Sequence, residues 1–269
     1  MTAKITTDLD LGGRWTALCL GNRDWLWHRD DPARATARPG DAFVDAGGLE
    51  ECIPTVRGLP DHGAAWTRKW RAVDESTAVV ETPDFQLRRR FEDISDGIEA
   101  AYRLTAEPGY RFIWAGHALL DLSTRARLAL PYGVSVRVFP EAADLLDRPW
   151  PPDARYVTTT WPDCGGIPLH RLGPSDKTAV GAIAVDCGHV AVHDNGDKLT
   201  MTLTADTGVR RSVALWRNLG GFPAAGPYRS IGVEPMLGAV FDLAEADPDD
   251  AVTVPGSGTV EWRLRIRCG

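Results

Sequence analysis

Strict alternation of apolar and polar residues is the feature that most constrains how this chain folds. In Thr259–Cys268, the apolar residues Val260, Trp262, Leu264 and Ile266 alternate with charged residues. Because successive side chains of a β-strand point to opposite faces of the sheet, this period predicts a strand with one wet face. The same alternation recurs in residues 98–105, 134–139 and 199–204. An all-β chain is therefore expected.

Turn signals separate the alternating segments and set the expected architecture. Residues 194–197 read Asp-Asn-Gly-Asp between two alternating runs, which predicts a β-hairpin. Helical periodicity is confined to residues 141–146 and 236–246. Strands at this spacing, with 27 glycines and 19 prolines, predict a large antiparallel β-sandwich over residues 1–269. The proline-rich residues 148–152 are interpreted as a long loop of that single domain.

Charge and composition argue against several function classes. The net charge is −7 and no segment forms a basic patch, so nucleic acid and anionic membranes are not expected as partners. The longest apolar run, residues 112–120, is far shorter than the ~20 residues of a membrane-spanning helix. Five scattered cysteines and the lack of an apolar signal core in residues 1–13 predict a cytoplasmic protein.

One carboxylate stands in an apolar setting. Glu234 lies among the apolar residues 231–236 and directly precedes Pro235. A buried carboxylate without a partner costs free energy, so this position needs a functional or structural reason. Because proline has no N–H for the sheet, Pro235 predicts a strand end or a sheet edge there. We therefore treat Glu234 as a candidate catalytic base.

Two histidines can complement this carboxylate. His117 interrupts residues 111–122, which are apolar on both faces and predict a central strand covered from two sides. It is either a core histidine bonded to a backbone carbonyl or an acid that titrates near neutrality. His62 lies between Asp61 and Gly63, and is either a surface turn residue or part of a site. Together with Glu234, the two imidazoles suffice for proton transfer in both directions.

Other signatures are weak or missing. His189 and His193 share one face of a predicted strand, but no metal-ligand spacing completes a set, so no metal site is predicted. No phosphate-binding, dinucleotide-binding or serine-nucleophile motif is present, and no cofactor is expected. The ten tryptophans serve core packing or sugar stacking, and Trp66 is close enough to His62 to be a candidate sugar-binding residue.

Several motifs occur in the same order as in a known superfamily. They are DAGGLEECIPTV (45–56), DHGAAWTRKW (61–70), YRFIWAGHALLDL (110–122), YRSIGVEPMLG (228–238) and, more weakly, VDCGHVAV (185–192). In these motifs the chain resembles the aldose 1-epimerase (galactose mutarotase-like) superfamily. The resemblance implies a large antiparallel β-sandwich, the galactose mutarotase-like supersandwich, that binds a sugar in an open cleft without a metal or a cofactor.

The resemblance also implies residue roles. Glu234 matches the general base that takes the proton from the anomeric hydroxyl, and His117 matches the acid that protonates the ring oxygen. His62 matches the histidine that orients the sugar. Asp186 matches an aspartate that binds sugar hydroxyls, with Asp163 as a rival.

Three departures from the family pattern concern the substrate. The turn reads HGAAW without a double glycine, and residues 21–23 echo the family's arginine motif only superficially. Ala65 and Trp66 stand where hexose-6-phosphate mutarotases place an arginine, although Arg57 could substitute. We predict an isomerase of the aldose 1-epimerase type, a monomer or homodimer acting on a small-molecule sugar. The alternatives are a non-catalytic carbohydrate-binding protein, or another sugar isomerase or lyase on the same fold.

Overall fold

Nearly all regular structure in the chain is β-strand. The computed structural model describes residues 3–269, which form twenty strands in two large sheets and one short ladder. In spatial order, the ten-stranded sheet contains β1 (Lys4–Asp8), β2 (Arg14–Leu20), β4 (Leu49–Cys52), β10 (Trp114–Leu120), β18 (Arg229–Leu237), β17 (Arg211–Leu219), β14 (Ala179–Ala184), β12 (Ser135–Val138) and β13 (Val157–Thr160), with β3 (Arg23–Asp24) paired to β2. The eight-stranded sheet contains β11 (Arg127–Ala129), β15 (His189–Asp194), β16 (Asp197–Ala205), β20 (Thr259–Cys268), β8 (Gly97–Ala106), β7 (Phe85–Ile94), β6 (Thr77–Glu81) and β5 (Arg71–Ala72).

Short elements complete the described chain. The ladder joins β9 (Arg111–Phe112) to β19 (Val252–Thr253). The 3-10 helices span Pro32–Thr36, Pro140–Leu145, Cys164–Gly166, Leu243–Glu245 and Pro248–Asp250. Within residues 3–269, no helix is long and apolar enough to cross a membrane.

The alternation in the sequence correctly predicted the strands and the antiparallel architecture. In β20, Val260, Trp262, Leu264 and Ile266 are buried between exposed charged residues. The Asn-Gly turn joins β15 to β16 as a hairpin, with Asp194 opposite Asp197. All seven residues of β10 are buried, as both of its faces are covered. The prediction of an all-β sandwich is confirmed.

Two local predictions from the sequence are wrong. Residues 236–246 do not form a helix, because Met236 and Leu237 complete β18 and only Leu243–Glu245 is a 3-10 turn. Pro235 marks neither a strand end nor a sheet edge, since β18 lies between β10 and β17. The β10–β18 ladder has no assigned pairs beside Pro235, which has no N–H to donate. The missing hydrogen bond is thus accommodated inside the sheet.

A buried carboxylate, that of Glu51, lies within the main hydrophobic core between the two large sheets. Glu51 is fully buried, and its carboxylate accepts hydrogen bonds from Arg89 at 2.8 Å, Tyr102 at 2.9 Å and the Trp114 indole at 2.8 Å. Arg89 is itself only 1% exposed. The Glu51 carboxylate is therefore well satisfied. Arg89 bonds it through one nitrogen, while its Nε and Nη2 have no hydrogen-bond partner within residues 3–269 and its guanidinium lies 4.7 Å from the centre of the Trp70 ring. A buried ion pair of this kind depends on both partners.

Replacement of Glu51 by glutamine should destabilise the fold strongly. The Arg89 guanidinium would remain buried without a counter-charge, which typically costs about 3–5 kcal/mol. Urea unfolding would measure the loss in the free energy of unfolding. Glu261→Gln is the control, because Glu261 pairs with Arg103 at 3.6 Å on the surface and should contribute less than about 1 kcal/mol. Equal, small effects of both substitutions would contradict this account.

The opposite face of the ten-stranded sheet carries a second, smaller apolar cluster. Cys52, Ala115 and Met236 form one row of it across β4, β10 and β18. Phe139 and Phe241 cover this row from outside the sheet. Because side chains alternate between the faces, residues two positions away on the same strands point to this same side. His117 and Glu234 are such residues.

Candidate active site

An open cavity of about 960 Å³ lies on this outer face of the ten-stranded sheet. Glu234, His117 and His62 all line it. The three residues that the sequence singled out for proton transfer are therefore brought together from three distant segments of the chain.

The strand register sets His117 opposite Glu234. Trp114 pairs with Leu237 and Leu119 with Gly232, so the same register places residue 117 across from residue 234. His117 Nδ1 lies 2.9 Å from Glu234 Oε1, and the two residues are 7% and 2% exposed. The ring N–H is not aligned with the oxygen, and Glu234 Oε2 has no hydrogen-bond partner within residues 3–269. The contact is an ion pair with unused hydrogen-bonding capacity.

The charge of Glu234 keeps His117 protonated. Burial lowers the pKa of His117, but the nearby Glu234 carboxylate opposes this effect, and the net result is a pKa of about 9. Asp45 and Glu50 raise the pKa further. At neutral pH His117 is therefore an imidazolium that can donate a proton beside a carboxylate that can accept one.

A glycine makes room for the Glu234 carboxylate. Gly232 precedes it by two residues and faces the same side of β18. A Cβ at Gly232 would lie 2.4 Å from Glu234 Oε1 and 2.9 Å from the Trp216 Cβ, so the carboxylate could not keep its position beside any other residue type. The sequence Gly-Val-Glu in this strand is thus explained by the space that the carboxylate needs.

His62 is a neutral member of the site. Its backbone has φ +55°, and its Nδ1 is 2.8 Å from Asp61 Oδ1. Burial lowers the pKa of His62 although Asp61 opposes this, so the ring is uncharged at neutral pH. A carboxylate only accepts hydrogen bonds, so Nδ1 carries the proton and Nε2 is left as an acceptor. The side chains of Asp61 and His62, adjacent in sequence, do meet.

Phe43 is a wall residue that the sequence did not reveal. Its ring stacks on His62 with centroids 3.7 Å apart and contacts His117 edge-on at 5.7 Å. Its backbone N–H donates to Asp61 Oδ2 at 2.9 Å. Asp61 therefore holds both the stacked ring and the histidine. No motif marks Phe43, since it lies in a segment without regular structure.

Trp66 supports this wall instead of lining the cavity, which corrects its predicted role. It is 1% exposed, its ring contacts Phe43 at 5.1 Å, and its indole N–H donates to the Asp61 carbonyl at 2.9 Å. Trp66 is therefore close to His62 because it packs behind the wall that His62 and Phe43 form. A buried indole behind the wall cannot stack on a sugar.

Asp186 does not line the cavity, and neither does its rival Asp163. Asp186 has φ +55° in the turn after β14, and its exposed carboxylate accepts a hydrogen bond from Arg210 at 3.0 Å. Four other aspartates line the cavity, namely Asp31, Asp45, Asp61 and Asp144. Of these, Asp45 accepts a hydrogen bond from the Tyr228 hydroxyl at 2.6 Å. Neither Asp186 nor Asp163 therefore lies where the resemblance places the sugar-binding aspartate.

Glu50 and Arg34 form a buried pair behind His117. Glu50 lies opposite His117 in the β4–β10 register, so both side chains share the outer face. Arg34 donates to Glu50 Oε1 from two nitrogens, at 3.0 and 2.9 Å. Burial raises the pKa of Glu50 to about 7, with Arg34 acting in the opposite direction. The sequence carried no signal for this pair.

A second ion pair lies at the mouth of the cavity. Arg57 binds Glu141 at 2.5 Å, and its guanidinium lies 4.4 Å from the centre of the Phe241 ring. The absence of a side chain at Gly181 leaves room for both groups, since a Cβ there would lie 2.6 Å from each. Arg57 is thus already engaged by a carboxylate.

Solved structures similar to this chain share its whole architecture. An Escherichia coli K12 protein with the provisional name aldose 1-epimerase is 14% identical, with a TM-score of 0.69 over 100% of this chain and 99% of that one. The chain adopts the galactose mutarotase-like fold. A galactose mutarotase-like protein from Clostridium acetobutylicum is 10% identical, with a TM-score of 0.60 over 99% of this chain and 92% of that one.

The likeness extends to other mutarotase-like proteins. A galactose mutarotase related enzyme from Lactobacillus acidophilus is 12% identical, with a TM-score of 0.61 over 99% of this chain and 97% of that one. No protein-family model and no curated protein matches the chain significantly. At these identities the shared feature is the fold, and the superfamily resemblance predicted from the motifs is confirmed at that level.

Proposed function

We propose that this mutarotase-like protein is an isomerase of the aldose 1-epimerase type, which interconverts the α and β anomers of a neutral sugar. The observation that carries the proposal is the contact between a protonated His117 and Glu234 in the wall of a large cavity. Similar folds that carry mutarotase names support the same class of reaction.

The geometry of the pair suits opening of a hemiacetal ring. Glu234 removes the proton of the anomeric hydroxyl while His117 donates its proton to the ring oxygen. The bond between the anomeric carbon and the ring oxygen breaks, and an open-chain aldehyde forms. Both oxygens are attached to one carbon, so an acid and a base 2.9 Å apart can reach both with little displacement.

Reclosure uses the same two groups with exchanged roles. After rotation about the bond next to the aldehyde, His117 takes back the proton as the hydroxyl attacks the other face of the carbonyl. Glu234 returns its proton to the aldehyde oxygen, so both groups regain their starting states. Positioned proton transfers of this kind contribute about 10²–10⁴-fold each. We assign to His62 the orientation of a sugar hydroxyl, through its free Nε2.

The charges around the cavity favour a neutral sugar over a phosphorylated one. Six carboxylates line the cavity, namely Asp31, Asp45, Asp61, Glu141, Asp144 and Glu234. Its other charged groups are three cations, Arg29, Arg57 and Lys177, and the imidazolium of His117. Arg57 is already paired with Glu141. An excess of negative charge raises the free energy of a bound anion.

NMR exchange spectroscopy on anomeric signals tests this proposal. We expect the added protein to accelerate exchange of free aldoses such as glucose and galactose, but not of their 6-phosphates. Failure to accelerate any neutral aldose would overturn the proposed activity. Calorimetric sugar binding without exchange would instead indicate a non-catalytic carbohydrate-binding protein.

The remaining properties are proposed with the activity. We propose that residues 1–269 form a single domain. We also propose that the enzyme is cytoplasmic, because the five cysteines are all free thiols in the described chain. Thiols in this state persist in reducing compartments.

A further inference from the structure

The cavity is larger than one sugar ring requires. Cavities of ~300–1,000 Å³ are typical of drug-sized ligands, whereas a single hexose has only about a dozen non-hydrogen atoms. At about 960 Å³, this cavity leaves substantial space beside a hexose held at His117 and Glu234. The walls of that extra space therefore indicate what else the site binds.

Trp216 forms an open aromatic floor next to the catalytic pair. It lies on β17 directly opposite Gly181 on one side and Gly232 on the other. Neither neighbour carries a side chain, and the freed space is taken by the Glu234 carboxylate at Gly232 and by the Arg57–Glu141 pair at Gly181. The half-buried indole of Trp216 lines the cavity between them. Glu234 is its diagonal neighbour on β18, at ~7–8 Å between Cα atoms. The Trp216 side chain is therefore the next one along this face of the sheet from Glu234.

Phe222 adds a second aromatic surface to this floor. Its ring lies 5.7 Å from that of Trp216 at 82°, so the two form a corner. The side chain is 53% exposed, so a face of the ring is accessible to a ligand. Phe222 also lines the cavity, at its mouth.

The loop that carries Phe222 is held firmly in place. Asn218 is fully buried, and its Oδ1 accepts hydrogen bonds from the backbone N–H groups of Gly220, Gly221 and Phe222 at 3.0–3.1 Å. Its Nδ2 donates to the Phe222 carbonyl at 2.9 Å. The exposed ring is therefore positioned by four hydrogen bonds from one side chain.

We propose that Trp216 and Phe222 form a second sugar subsite, so that reducing disaccharides are preferred over free monosaccharides. The C–H face of a pyranose is apolar and packs on aromatic rings. This inference rests on the proposed function, which places the anomeric carbon of the reducing sugar at His117 and Glu234. The non-reducing ring of the disaccharide then lies against Trp216 and Phe222. The carboxylate excess of the cavity again favours a neutral ligand.

Anomer exchange with matched sugars tests the subsite. We would compare glucose with maltose and cellobiose, and galactose with lactose, in the wild type and in Trp216→Ala and Phe222→Ala variants. We expect kcat/KM for at least one disaccharide to exceed that of its monosaccharide by roughly tenfold, and this ratio to fall towards one in both variants. Tyr132→Ala is the control, because Tyr132 is 90% exposed and lies outside the cavity; its ratio should stay at the wild-type value.

The outcomes separate this inference from the proposed function. Accelerated monosaccharide exchange without a disaccharide preference, or with a preference that survives Phe222→Ala, would overturn the subsite and leave the activity standing. Calorimetry provides a second measurement that needs no turnover. Disaccharide binding that weakens roughly tenfold in Phe222→Ala, in a protein that exchanges no sugar, would support the subsite and refute the activity.

Discussion

Replacement of Glu234 by glutamine is expected to lower kcat for anomer exchange by about 10²–10⁴-fold while sugar binding persists. Glutamine keeps the size of the side chain and can still hydrogen-bond a hydroxyl, but it cannot accept the anomeric proton. NMR exchange rates would give kcat, and calorimetry would give the dissociation constant. A rate within a few-fold of the wild type would refute the role of Glu234 as the base.

The matched control for this substitution is Asp186→Asn. Asp186 is, like Glu234, a carboxylate to which the family resemblance gives a role in the site. It lies outside the cavity, however, and forms an ion pair with Arg210. We expect its removal to leave anomer exchange unchanged. A large loss of activity in Asp186→Asn would restore the sequence-based assignment and contradict the position that the structure gives this residue.

Replacement of His117 by glutamine should cause a loss of similar size, because the ring oxygen would lose its proton donor. The pH dependence of the wild type gives an independent check. Since the pKa of His117 is raised to about 9, the imidazolium is present at neutral pH and disappears as the pH rises through 9. We expect kcat/KM to fall on that alkaline limb. A fall centred between pH 6 and 7 would contradict the assignment.

The same raised pKa links stability to pH. A group whose pKa is higher in the folded state stabilises the fold fully below its unfolded value, here 6.5, and loses that contribution as the pH rises through about 9. In Glu234→Gln the attractive charge is gone, so the pKa of His117 should decrease. NMR titration of the imidazole signals would measure this shift. An unchanged His117 pKa in that variant would mean that Glu234 is not the source of the shift.

Much of the fold was predictable because it depends on local patterns. Alternation in Thr259–Cys268 and the Asn-Gly turn before β16 specify strands and a hairpin through interactions between neighbouring residues. The candidate base and acid were also recognisable, because an ionisable residue in an apolar strand stands out regardless of its partner. Their actual contact was not, since it depends on the β10–β18 register.

The errors share a physical cause. Pro235 suggested a sheet edge, yet a gap in one ladder accommodates it within the sheet. Trp66 was assigned to the sugar because of its sequence distance from His62, and the fold places it behind Phe43. Asp186 was assigned by motif, and a left-handed turn directs it to Arg210. In each case the decisive neighbour is distant in sequence or depends on backbone direction.

The sequence by itself determined that this chain is an antiparallel β protein and that Glu234, His117 and His62 are its candidate chemical groups. Only the tertiary structure decided that they share a cavity, that His117 is the charged histidine and that Asp45 lines the cavity while Asp186 does not. The reason is that alternation and turns are local properties of a chain. The pKa of a group and its contacts, by contrast, depend on remote segments of the chain. The pKa of His117 is raised by Glu234 on a neighbouring strand, and Asp45 is hydrogen-bonded to Tyr228, 183 residues away in sequence.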